Sequence, residues 1–329
     1  MTRTGRQAGR LLLAACLSAC AHSVLVGCAA TPGAATADTV APAQQHPASA
    51  APSYDEIARR WNERASELNR IWARAVVQLR YRDAEGAVHN EQGEGHLQLL
   101  QPARLALSVG KLGEILLWLG CDETRYWLIE TNDTRRASVG RHATVGMPCH
   151  RSLGLPAHPL DMLDLMGVTP LPTQQEILDT GRPPGWVTWT RNHTLLVVEA
   201  PARFGRRRMF LDPATLLPRR VQLFPFERPS PHDQPAITAD LSDPIPVTLR
   251  TRGGFYPKMA SRVEINHPES GARIVLHFSD ATDGRDRSGK LSPRVFDFES
   301  LVQALAVEQI DTLDADCQLA TPAGEDASP

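Results

Sequence analysis

From residue 75 onward apolar residues recur at every second position, in short runs separated by turn-forming residues. This pattern restricts the chain to a large antiparallel β architecture. Ala75, Val77, Leu79 and Tyr81 alternate with Val76, Gln78, Arg80 and Arg82, as in a strand with one wet face. Similar runs cover 95–101, 104–110, 114–120 and 125–130, with breakers at Glu85-Gly86, Gln101-Pro102, 111–113 and Asp122-Glu123. A second series covers 186–190, 194–200, 207–212, 218–224, 247–251, 261–266 and 273–279; its clearest turns are Asp212-Pro213-Ala214-Thr215 and 266–271. Gaps this short leave no room for crossover helices, so the two series read as meanders and not as βαβ units. Residues 227–246, rich in proline and aspartate, read as one long loop.

Helical periodicity appears in only a few places. Ser53 and Glu56 have capping-box spacing, and behind them Tyr54, Ile57, Ala58, Trp61, Ala65, Leu68 and Trp72 recur at helical intervals, predicting an amphipathic helix to about residue 72. Between the meanders, 156–167 predicts a short apolar helix. Pro159 suits its first turn, Leu160, Met162, Leu163, Leu165 and Met166 form its body, and Gly167 stands at its C-terminal cap. A last helix is expected at 298–305 and a last strand at 307–313. The expected fold is α+β: about a dozen strands in one large curved antiparallel sheet, an unclosed barrel, with two to three helices on its concave side.

The N-terminus reads as an address. Residues 1–10 are polar and basic, 11–27 mostly apolar, and the segment ends in Leu25-Val26-Gly27-Cys28. This is the layout of an export signal, too short for a permanent span, and the residues before Cys28 resemble the lipobox at which bacterial lipoproteins are cleaved and acylated. Leu17-Ser18-Ala19-Cys20 also fits, and Leu13-Ala14-Ala15-Cys16 fits less well. Cys28 is preferred, because cleavage before Cys20 leaves Val24-Leu25-Val26 exposed behind the anchor. Several acyl chains on Cys28 anchor stably where one does not. The absence of aspartate at position 29 favours the outer membrane, facing the periplasm. Residues 29–52, with ten alanines, four prolines and three threonines, cannot offset their ordering entropy and read as a tether. The expected organisation is therefore a signal at 1–27, acylated Cys28 and tether at 28–52, one domain at 53–315 and a polar tail at 316–329.

Composition excludes several function classes. With 42% hydrophobic and 22% charged residues and a mean hydropathy of -0.26, the chain is neither a disordered nor a polytopic membrane sequence. The net charge of -2 conceals three arginines before Cys28, so the remainder holds 32 basic against 37 acidic side chains and offers no footprint for nucleic acid. There is no His-Glu-x-x-His, Gly-x-Ser-x-Gly, phosphate-binding Gly-x-x-x-x-Gly-Lys-Ser/Thr or Cys-x-x-Cys, so no catalytic residue, metal or cofactor is expected. His142, His150 and His158 recur every eight residues and read as surface or capping histidines. Two of Cys121, Cys149 and Cys317 can pair in an oxidising envelope, with the partners left open. The basic run 203–208 reads as a solvated hairpin face or a contact for anionic headgroups.

Two stretches carry a family resemblance. Gly95-His96-Leu97-Gln98-Leu99-Leu100-Gln101-Pro102-Ala103-Arg104-Leu105-Ala106-Leu107, followed by Cys121-Asp122-Glu123 and Arg125-Tyr126-Trp127-Leu128-Ile129, resembles a recurring stretch of the LolA/LolB-like lipoprotein-localisation superfamily. The hairpin from Met209 through Asp212-Pro213 and Leu217-Pro218-Arg219 to Val221 resembles its second recurring feature. The resemblance implies an unclosed barrel capped by helices around an apolar cavity for acyl chains, and a membrane-anchored member that receives or passes on lipoproteins or lipids. Such a hollow also follows from a curved apolar sheet with too few helices to fill it. The candidate lining residues are Trp61, Trp72, Leu97, Leu99, Leu105, Leu107, Ile115, Leu117, Trp127, Met162 and Met166, with the methionine-bearing helix as gate. The alternatives are a structural or assembly lipoprotein whose cavity is filled by its own tryptophans and, with least support, an envelope hydrolase.

Overall fold

Ser53 caps the first helix, α1 (Tyr54–Glu67), by accepting from the Glu56 amide, and Tyr54, Ile57, Ala58, Trp61 and Ala65 form its buried stripe. The computed structural model describes residues 50–82, 88–131, 135–155, 157–225, 234–250, 254–285 and 291–317. All of these lie in one compact unit, Gln45–Pro329. The expected signal, Cys28, most of the tether and the tail beyond Cys317 lie outside the described residues.

After α1 come β1 (Arg70–Arg82), β2 (Val88–Leu100), β3 (Arg104–Lys111), β4 (Glu114–Cys121), β5 (Arg125–Glu130) and β6 (Arg136–Arg141). Two short helices, α2 (Pro159–Leu165) and α3 (Gln174–Asp179), lead to the second series. This contains β7 (Trp186–Trp189), β8 (Leu196–Ala202), β9 (Gly205–Leu211), β10 (Pro218–Pro225), β11 (Ile237–Pro246), β12 (Lys258–His267) and β13 (Ala272–Thr282). The chain ends in α4 (Phe298–Ala304) and β14 (Gln309–Thr312).

The fourteen strands among the described residues form one sheet, in the order β14-β6-β5-β4-β3-β2-β1-β13-β12-β11-β10-β9-β8-β7. The pairings are antiparallel except for β14 on β6, and the edge strands β14 and β7 leave the sheet unclosed. The two meanders meet where β1 pairs with β13, between Ala75↔Phe278 and Arg80↔Arg273. A flat sheet of this size would be roughly 60 Å wide. Yet Leu128 on β5 and Met209 and Leu211 on β9 share one core with α1 and α2, so the sheet curls around those helices. Ile177 of α3 joins the same core. On the opposite face α4 and the 3-10 turn Pro293–Phe296 cover Trp118, Trp127 and Ile129.

The expected curved, unclosed antiparallel sheet is therefore present, with three helices inside and a fourth outside. Four local expectations change. The first helix stops at Glu67, because Ile71, Ala73, Ala75 and Val77 already face inward with period two; Trp72 lies on β1 and points away from them. Within the expected loop 227–246, residues 237–246 form β11, whose Ile237, Ala239 and Leu241 face the core despite the neighbouring prolines. The expected strand at 247–251 reduces to a bridge between Thr248 and Thr282. β6 and α3 were not expected: β6 buries only Ala137 fully on its α4 side, and α3 buries only Ile177.

Candidate functional site

Most of the lining candidates are packed into the inner core. Trp61, Leu97, Leu99 and Leu105 are 0% exposed and Met162 and Met166 nearly so, which means that no water-sized space reaches them. Leu107 and Leu117 belong to the same core, Leu117 at its margin. Three other lining candidates lie elsewhere. Trp127 packs against Phe298 on the outer face, ring centres 5.5 Å apart; Trp72 faces outward beside His96; and Ile115 is 38% exposed near a hairpin tip. Neighbours on a strand face opposite ways, so Trp127 cannot share a face with Tyr126 and Leu128.

Side chains of α1 fasten the chain that follows α2. Trp61 Nε1 donates to the Thr169 carbonyl at 2.8 Å, Arg64 to that of Gly167 at 2.7 Å, and the Tyr54 hydroxyl to that of Pro172 at 2.9 Å. Asn62 exchanges two hydrogen bonds with the Leu171 backbone. Gln101, from the β2–β3 turn, donates to Val168 at 2.7 Å. Gly167 adopts φ +64°, and a Cβ there would meet Pro218 at 2.6 Å, so this tight helix exit needs glycine.

A buried ion pair completes the closure. Arg207 of β9 is 2% exposed and donates to Asp164 of α2 at 2.8 Å, while also reaching the Thr169 hydroxyl and the Pro170 carbonyl. Of the basic run read as solvated, this arginine is therefore interior. Arg206 and Arg208 face the other way, share the carboxylate of Glu199 at 2.8 Å each, and flank Phe224. Arg203, in the turn between β8 and β9, is the arginine of the run that stays exposed, so the run does not form a continuous basic patch.

The three evenly spaced histidines converge on Tyr126. Ring centres lie 4.4 Å from Tyr126 for His158, 5.6 Å for His142 and 5.9 Å for His150, and the Tyr126 hydroxyl bonds His150 Nε2. His158 Nδ1 caps α2 by accepting from the Leu160 amide at 3.1 Å, and His142 Nε2 donates to the Asp122 carbonyl at 2.9 Å. Burial holds all three imidazoles below their ordinary range, His158 down to about 2. Asp161, in the first turn of α2, is pushed up to about 7 by burial and by Asp164. Among the described residues, no three histidine, cysteine or carboxylate side chains are arranged to hold a metal ion.

The signs of these shifts oppose one another. Unfolded His158 takes up a proton below pH about 6.5, whereas the folded imidazole stays neutral, so its contribution is intact above that pH and is lost progressively below it. Asp161 works in reverse, favouring the fold as pH falls from 7 towards its unfolded value. Asparagine is a strong N-cap that does not titrate. His158→Asn should therefore gain stability relative to the parent by about 2 kcal/mol between pH 7.5 and 5, read from urea midpoints at the two pH values. An unchanged difference between the two proteins would refute this reading of the cap.

The tip of the β3–β4 hairpin is apolar and exposed. Leu112 is 99% exposed at φ +54°, and Ile115 and Leu116 follow at 38% each.

No protein-family model and no curated protein matches the sequence. Solved structures are similar in the course of the chain. A DUF1329 family protein from Desulfovibrio piger has 12% identity and a TM-score of 0.47, over 75% of this chain and 96% of its own. A domain assigned to an outer membrane lipoprotein-sorting protein from Vibrio parahaemolyticus also has 12% identity and a TM-score of 0.47, over 75% and 97%. A LolA superfamily protein from Nitrosomonas europaea has 9% identity and a TM-score of 0.41, over 70% and 93%.

Proposed function

We propose that this chain is an envelope lipoprotein, held at the outer membrane by acylated Cys28, that binds the acyl chains of lipids or lipoproteins and takes part in accepting or transferring them. The observation that carries this reading is the β3–β4 tip. A leucine in left-handed backbone, wholly in water beside two more half-exposed apolar residues, is unfavourable on its own and gains when it meets a membrane or another apolar surface. Burying one leucine side chain contributes about 1.5–3 kcal/mol, and Lys111 beside it suits an anionic surface. No catalytic group is required, because exchange between two apolar environments needs only matched affinities.

The test uses the unanchored unit, residues 45–329, purified from an envelope fraction. Native mass spectrometry should show an acyl-lipid adduct, and Leu112→Asp should lower flotation with anionic vesicles at least about tenfold. Bare protein together with failure to displace a fluorescent acyl probe would sink lipid binding. In the full-length protein, Cys28→Ala should abolish acyl labelling; labelling that persists points to Cys20.

The packing of these candidates into the inner core supports a second reading, that of a structural or assembly lipoprotein using the same fold. Trp61, Met162 and Met166 occupy the space where a lipid cavity would lie. A bare protein in the mass spectrum is its expected signature.

A further inference from the structure

A cleft among the described residues lies where the sheet splits. The β11–β12 ladder continues to Pro246↔Lys258, and the β1–β13 ladder continues to Trp72↔Thr282 across a bulge between Trp72 and Arg74. Between them, however, the β12–β13 ladder stops at Arg262↔His277. Residues 258–261 and 278–282 therefore each keep one neighbour and part from one another. The parting coincides with a left-handed residue on β13, Asp280 at φ +52°. The far end is closed by the chain after β11, with the Thr248 amide donating to Ala281 at 2.9 Å and the Asp283 amide to Thr248 at 3.0 Å. The result is a cleft of about 600 Å³, within the range of small-molecule sites.

Its lining comes from both faces of the sheet. Phe278 and Ala281 belong to the inner core and Ile245 packs against it, whereas Trp72, Arg74 and Ser279 alternate to the outer face. The cleft is thus an open groove on the outer surface, floored by the edge of the core, where Phe278 and Ala281 are 4% exposed and Trp72 7%. At its rim Arg74 and Asp280 approach within 3.4 Å, both well exposed. An apolar floor joined to the core, hydroxyls along the walls and opposite charges at the mouth match one kind of ligand, an amphiphile with its chain inside and its polar head outside. Bulges next to binding sites serve to re-aim side chains in this way.

We infer that the groove between β12 and β13 is the acyl-binding site, with the chain against Trp72 and Phe278 and the polar head at the Arg74–Asp280 rim. This rests on the lipid-binding reading above and relocates the ligand from beneath α2, where Met162 and Met166 are buried, to a volume that already exists. Aromatic and aliphatic walls hold the chain by contact area, and the acceptor role then needs no displacement of α1 or α2.

Dibrominated stearic acid is the probe, because bromine quenches indoles on contact. Titrated into residues 45–329, which form one compact unit with its own core, it should quench part of the tryptophan emission saturably, and that part should be missing in Trp72→Phe. Ser261→Phe, which fills the groove from β12, should weaken binding at least about tenfold while leaving the melting temperature in place. A stearate adduct in the mass spectrum, with quenching and affinity unchanged in both variants, overturns the groove as the site and leaves lipid binding standing. Absence of any adduct from the parent protein overturns both. If Ser261→Phe fails to fold, the Trp72→Phe quenching difference decides alone.

Discussion

Replacing Arg207 with alanine should destabilise the fold by about 3–5 kcal/mol, the usual loss when one partner of a buried ion pair is removed and the other stays charged. Asp164 would remain beneath the sheet with only the Thr169 hydroxyl to support it, and the Pro170 carbonyl would lose a charged donor. The loss falls on the contact between α2 and β9, so the amides of α2 should exchange faster than those of β1 and β2. Arg207→Met combined with Asp164→Leu should recover most of the loss, because two apolar groups of similar size replace the pair without leaving a charge behind. Urea denaturation of the two variants measures both numbers. A single variant within about 0.5 kcal/mol of the parent would mean that the pair is solvated and that α2 is held by its apolar face alone.

Arg207 also shows what the sequence made legible and what it concealed. Three consecutive arginines in a basic run suggest solvent, and two of them do face away from the core. The alternation that identified the strand nevertheless contained the exception, since Arg207 is in phase with Met209 and Leu211, both inward, and out of phase with Arg206 and Arg208. The same rule separates Trp127 from Tyr126. Periodicity located most strands and the capped start of α1, because each depends on neighbours in sequence. It lost the end of α1, where Leu68 and Trp72 satisfy a helical interval while Ile71 and Ala73 already satisfy a strand. It lost β11 because Pro244 and Pro246 outweighed Ile237, Ala239 and Leu241. The sheet split was invisible for a different reason. It depends on two ladders diverging between segments that are far apart in the chain, and no local pattern encodes where pairing stops. The histidine trio was visible as a spacing of eight, but only the fold brings its members around Tyr126.

Breaking the disulfide is the second large effect. Cys149 and Cys317 are bonded across 168 residues, and Cys121, the remaining described thiol, is buried and donates to the Ala103 carbonyl at 3.1 Å. A closed loop of that length corresponds to about 5 kcal/mol of chain entropy in the unfolded state. The realised loss should be nearer 3 kcal/mol, because the C-terminal segment has a second hold. Asp314 is buried and accepts from the Arg141 side chain at 2.7 Å and the Thr144 hydroxyl at 2.9 Å, ties that survive reduction. Cys149→Ser should therefore cost about 3 kcal/mol in urea, and Cys149→Ser with Asp314→Ala more than either change alone. Reductant should reproduce the single variant without touching Cys121, whose thiol burial pushes up to about 12 and so keeps unreactive. The effect should also reach the core, since His150 follows Cys149 directly and bonds Tyr126. Freed from the bridge, that loop loses its fixed place over the histidine cluster, and exchange at the start of α2 should quicken with it. A reduced protein that keeps its stability would show that the Asp314 network alone closes the C-terminus, leaving the disulfide as a mark of the oxidising compartment.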